Sequence, residues 1–156
     1  MVFNYKAKIP NTGKLIRSTT FRATEFDGYD PAEVVLILQN RWEDEDGNIH
    51  AKRVGTAMCQ VERSTADWII DRRLPVIYGD ARKHKDYKPY MDLITGYKNM
   101  YAFNSKGKKK PILEEGWADA DCPVTHAILW FASGSCGAFI GALDNVLWVD
   151  EVRLEY

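Results

Sequence analysis

Histidines, cysteines and paired carboxylates do chemistry only beside suitable partners, and this 156-residue chain offers few such juxtapositions. Cys136 lies in the small-residue run Gly134–Ser135–Cys136–Gly137–Ala138–Phe139, where a nucleophilic thiolate would need an adjacent base. None of His50, His84 and His126 stands at a motif spacing from it. Free cysteine mostly behaves as a small hydrophobe, so Cys59, Cys122 and Cys136 read as three unbridged thiols without metal-ligand spacing. Asp44, Asp46 and Asn48 imitate the first three ligands of a calcium loop. The sixth position is Ile49 where Gly is required and the twelfth is Gly55 where Glu is required, so this stretch reads as a polar hairpin tip. Glycoside hydrolysis needs two carboxylates about 5–10 Å apart, one with a raised pKa. Glu114, Glu115, Asp119 and Asp121 supply carboxylates in abundance but no motif. Serine-triad, phosphate-loop and zinc-site patterns are missing.

The elements that must position these residues are strands. Val34–Leu38 is apolar at every position, as in a central strand, and runs on to an Asp46–Gly47 turn signal. Ile49–Arg53 and Thr56–Val61 follow, interrupted by Gly55, so Val34–Arg53 is expected to be a hairpin. Pro75 within 68–78 predicts an edge or a bulge. Residues 80–122 are rich in Lys, Tyr, Gly and Asp and keep neither period, which predicts a long excursion with one or two short strands. Its Lys106–Lys110 knot reads as a solvated loop tip. Val124–Ala132 again looks covered on both faces. In the closing run Val146, Trp148, Val152 and Leu154 share one face with Asp150, while Glu151, Arg153 and Glu155 take the other. A carboxylate on an apolar face must be hydrogen-bonded, ion-paired or bound to a cation, and Asp150 or Glu151 is where a structural calcium would be sought. No other cofactor is expected. No amphipathic helix longer than two turns is visible, and the fold class expected is an all-β, antiparallel β-sandwich of jelly-roll type, one domain over 1–156.

Composition narrows the partners. With 21 basic and 22 acidic side chains the formal charge is −1, which argues against a dedicated nucleic-acid binder. No apolar run approaches the roughly 20 residues of a transmembrane helix. The stretch MVFNYKAKIPNTGK has no apolar core of a signal peptide, which fits either a cytoplasmic protein or a domain of a longer secreted chain.

The runs Ile128–Ser133, Gly137–Ala142 and Leu147–Val152 resemble the signature of the Putative Carbohydrate Metabolism domain family, jelly-roll domains of Bacteroidetes surface lipoproteins. Phe3–Lys6 is similar to that family's opening strand, Val34–Leu38 to its first long core strand, and Trp68 with Pro75 to its middle stretch. The likeness is specific over 124–156, loose over 2–78 and absent over 80–122. Asp144–Asn145 stands where the family usually has Gly–Ser, and is itself a good turn former. The resemblance implies glycan handling in an extracytoplasmic, cell-surface assembly, without assigning catalytic residues.

The function expected is therefore a non-catalytic glycan-binding module, carrying polysaccharide or oligosaccharide and joined to other domains. The alternatives are a structural or adhesion domain and, behind it, a glycoside hydrolase. Sugar rings present C–H faces to aromatic platforms, with carboxylates and amides bonding the hydroxyls. Trp68, Trp130 and Trp148 sit among apolar neighbours and read as core. Trp117, flanked by Gly116 and by Glu114, Glu115, Asp119 and Asp121, is the leading platform. Tyr87 and Tyr90 support it, Trp42 beside the acidic tip is a further candidate, and Tyr97 and Tyr101 complete the set of exposed-type rings.

Overall fold

The computed structural model describes residues 1–95 and 100–155, so Tyr97 lies outside the described residues. Strands make up 52% of the described residues and helix 4%, as expected for an all-β protein. The chain divides into two compact units, one formed by Met1–Val35, Met58–Pro75 and Trp130–Tyr156, the other by Leu36–Ala57 and Val76–Leu129.

In the first unit β1 (Val2–Lys8) is the middle strand of an antiparallel sheet, between β6 (Ile69–Arg73) and β12 (Val146–Arg153). Ala7, Ile9, Ala32 and Val61 form a buried cluster on which Tyr5, Tyr29 and Leu147 pack. Leu147 is thus the inward residue of β12, whereas Trp148 and Asp150 are exposed. The expected faces of this strand are exchanged, because a run apolar at every position leaves its parity open. Glu151 then adopts φ 49° where the pairing with β1 slips, and the alternation breaks there. The exposed Asp150 carboxylate accepts the backbone N–H of Glu151 at 2.8 Å. Trp68 is exposed as well, beside edge strand β6, while Trp130 is half-buried and donates its indole N–H to Glu33 at 2.8 Å.

A second sheet of this unit orders β11 (Ile140–Gly141), β2 (Lys14–Ser18) and β3 (Ala23–Asp27). The glycine-rich stretch before β11 is organised by a single buried carboxylate. Asp30 accepts backbone N–H bonds from Ser135 at 2.6 Å, Cys136 at 2.9 Å and Ala142 at 3.3 Å. Gly134 sits so close that an added Cβ would stand 2.1 Å from the carboxylate. Asn145 closes the turn by donating to the carbonyls of Asp30 and Ser133.

The second unit holds most of a six-stranded sheet ordered β10 (His126–Ala132), β4 (Ala32–Glu43), β5 (Ile49–Val61), β9 (Lys109–Trp117), β8 (Tyr101–Phe103), with β7 (Ile77–Tyr78) also on β5. Asp44 to Asn48 joins β4 to β5, with Gly47 at φ 78° and Asn48 N–H bonded to Asp44 Oδ1 at 2.7 Å. The hairpin extends to Val61 and does not break at Gly55. That glycine serves close packing, since an added Cβ would meet Val76 at 3.0 Å and Leu38 at 3.1 Å. β9 runs parallel to β5, so the sheet is mixed and not wholly antiparallel. The expected excursion over 80–122 holds two strands, β8 and the nine-residue β9; two 3-10 turns, Ala81–Lys83 and Pro89–Met91, precede the β8–β9 hairpin. β10 is an edge strand with one side exposed, which explains why it is less covered than its apolar sequence predicts.

Candidate functional site

The register of β5, β9 and β8 decides which residues share a face. Ile49 pairs with Ile112, and both pack with Ala51, Met100, Ala102 and Ile128 in a buried cluster. Alternation then turns His50, Leu113 and Pro111 to the opposite face. Tyr101 pairs with Pro111 and Phe103 with Lys109, so both rings join that outer face. Phe103 is 74% exposed, Tyr101 58% and Trp42 40%. The Lys109 ammonium lies 4.9 Å from the centre of the Tyr101 ring, a cation–π arrangement.

Trp42 is fixed at the end of β4 by stacking on His50, with ring centroids 5.5 Å apart and planes 13° apart. His50 is itself bracketed: Nδ1 lies 2.5 Å from Glu115 and Nε2 2.9 Å from Asp44. Two ionised carboxylates can be bonded at once only by an imidazolium, which donates from both nitrogens. The Asp44 bond, then the Glu115 bond, raise the His50 pKa. Asp44 is held well below the usual carboxylate range, first by His50 and then by Asn48. Glu115 stands two residues beyond Leu113, the partner of His50, and is the extra residue where the β5–β9 register slips between Ala51 and Lys52.

Trp117 belongs to a different environment. It ends β9 half-buried, with the Arg53 guanidinium 5.5 Å and that of Arg82 5.9 Å from its ring centre. Its indole N–H is buried and has no partner among the described residues. Beside it Glu114 and Arg53 form a buried bidentate pair, both contacts at 2.5 Å. Gln39 and the Ile94 N–H also donate to Glu114, at 2.6 and 2.7 Å. Glu114 therefore spends its oxygens on structure. Arg82, ion-paired to Asp80, also influences half-buried Tyr87, whose hydroxyl pKa is raised first by burial and then by Asp92. Tyr90 is exposed. The structure thus gathers Trp117, Arg82 and Tyr87 in one neighbourhood and places Trp42 in another, with Tyr101.

His50, Glu115 and Phe103 were not singled out from sequence as ligand contacts. The alternation Tyr101–Ala102–Phe103 was a signal for the last; the other two depend on a parallel register that local pattern does not specify. Cys136 is a poor nucleophile: burial, reinforced by Asp30, pushes its pKa up to about 11, and its thiol donates to the Tyr29 carbonyl. Among the described residues no three acidic, histidine or cysteine side chains are grouped to hold a metal ion, at Asp150 or elsewhere. No described helix is long and apolar enough to cross a membrane. No family model, curated protein or solved structure matches the chain.

Proposed function

We propose that the protein is a non-catalytic glycan-binding module that takes a polysaccharide or oligosaccharide chain on the outer face of β4, β5, β9 and β8. One observation carries this reading: Trp42, Tyr101 and Phe103 expose aromatic surface on the same sheet face. Neighbouring strands are about 4.8 Å apart, so four of them spread these rings over roughly 15 Å, the length of a few sugar rings. Asp44, Glu115 and Lys109 border the rings with charged acceptors and a donor for hydroxyl groups. Trp117, half-buried and packed by two arginines, serves mainly to pin the end of β9. The near-absence of helix and the resemblance over 124–156 support a jelly-roll variant of the β-sandwich, part of a longer extracytoplasmic protein.

Affinity electrophoresis through polysaccharide-loaded gels tests the reading. Trp42→Ala and Tyr101→Ala are each expected to weaken retention by about 1–3 kcal/mol with little change in melting temperature. Trp117→Ala is expected to lower stability and to alter retention only through unfolding. Retention that ignores both outer-face substitutions would remove the site from this face. A wild-type protein retained by no polysaccharide would leave a structural or adhesion role in front.

A further inference from the structure

In the first unit a concavity of about 380 Å³ is lined by Tyr5, Cys59, Arg63, Ser64, Thr65 and Arg72, among others. That volume is in the range of small-molecule sites. Four other arginines of the chain spend their guanidinium groups on carboxylates: Arg53 on Glu114, Arg73 on Glu155, Arg82 on Asp80 and Arg153 on Asp71. Arg63 and Arg72 have no such partner among the described residues. The hydroxyls beside them are also half-used. Ser64 Oγ accepts the Ile9 N–H at 2.8 Å and Thr65 Oγ1 accepts the Ala7 N–H at 3.1 Å. Each hydroxyl keeps its proton to donate.

Two unneutralised guanidinium groups and two hydroxyl donors therefore border one concavity, with the Tyr5 ring as an apolar wall. Only Glu62, which also lines it, supplies an opposing charge. We propose that this concavity binds an oxyanion – a sulfate, phosphate or carboxylate – borne by a small ligand. The planar guanidinium presents paired N–H groups that match two oxygens of such an anion, and its charge strengthens each bond. The proposal is independent of the aromatic face on the second unit.

Cys59 offers a built-in reporter, since it lines the concavity and its thiol is not bridged. Alkylation by neutral iodoacetamide, resolved peptide by peptide in a mass spectrometer, is followed against sodium sulfate, phosphate or glucuronate, with sodium chloride at matched ionic strength. Cys122, which does not line the concavity, is the internal reference. A saturating oxyanion is expected to slow Cys59 alkylation about fivefold or more and leave Cys122 unchanged. Arg63→Gln and Arg72→Gln should each raise the anion midpoint about tenfold. Glu62→Gln should lower it, and Arg73→Gln, paired with Glu155 instead, should not move it. Midpoints are compared, not rates, because Arg72 also acts on the Cys59 pKa. Calorimetric titration with the same three anions gives the midpoint without the thiol and ranks the three carriers. Protection equal to that by chloride, no heat of binding, or an unchanged midpoint in both arginine variants would overturn the proposal.

Discussion

Glu114→Gln exchanges one oxygen for an amino group, yet it is expected to cost about 3–5 kcal/mol of folding stability, the range for breaking one side of a buried ion pair. The size follows from the geometry. Oε1 accepts from Arg53 Nε at 2.5 Å and from Gln39 at 2.6 Å; Oε2 accepts from Arg53 Nη2 at 2.5 Å and from the Ile94 N–H at 2.7 Å. Whichever oxygen becomes NH2, two donors then face another donor. Bonds to charged groups contribute about 1.5–3 kcal/mol each, so losing two of them gives a matching figure. The Arg53 side chain has 0% exposure and cannot turn its charge to water. Domains are stable by only about 5–15 kcal/mol, so the loss should be plain as a large fall in the urea midpoint. Arg53→Met removes the stranded charge, and the double variant Arg53→Met with Glu114→Gln should be about 2 kcal/mol more stable than the two single losses added together. A Glu114→Gln protein within about 1 kcal/mol of wild type, or strictly additive losses, would refute this account of the pair.

The histidine bracket predicts a pH dependence with a definite sign. His50 has its pKa raised above 6.5, so its contribution is complete below that pH and is lost as pH climbs through the folded value. Asp44 has its pKa lowered from 3.8, so its contribution is complete above that pH and is lost as pH falls through its depressed value. The difference in melting temperature between wild type and His50→Gln should thus be largest between about pH 4 and 6.5 and shrink above it; an NMR titration placing the His50 midpoint at or below 6.5 would contradict the bracket. Asp30→Ala leaves three backbone N–H groups without their acceptor, and at about 1–3 kcal/mol for an unsatisfied buried group it should destabilise the protein while speeding hydrogen exchange at Ser135, Cys136 and Ala142. Unchanged protection at those amides would argue that other contacts hold the turn.

Where pattern and structure agree, the signal is local. Asp46–Gly47 marks the turn between β4 and β5, and Pro75 falls between β6 and β7, outside either strand. Where they part, the deciding contact is distant. The inner face of β9 includes Lys110 and Glu114, which reads as a loop until Arg53 is seen to neutralise Glu114 from a strand far away in sequence. For the same reason Trp117, expected in a loop, ends a strand. Val146–Val149 is apolar throughout, so only its packing on β1 shows that Leu147 faces inward. Trp42 was legible as an exposed ring beside an acidic turn. Its bracket was not, because Glu115 meets His50 through the parallel pairing of β9 with β5, two strands far apart in sequence.

The parallel docking of β9 on β5 also orders events in time. The β4–β5 hairpin closes through neighbours in sequence, a microsecond event for isolated hairpins. Arg53 and Glu114 lie 61 positions apart, and bringing them together requires closing a far larger loop. Pairings of that separation raise the contact order and slow the search for the native state. Until β9 arrives, the Arg53 charge must remain in water, so the inner face of the hairpin stays open and hydrated. Burial of that charge is then a late step, and the ion pair acts as a latch: it slows escape from the folded state far more than it hastens entry.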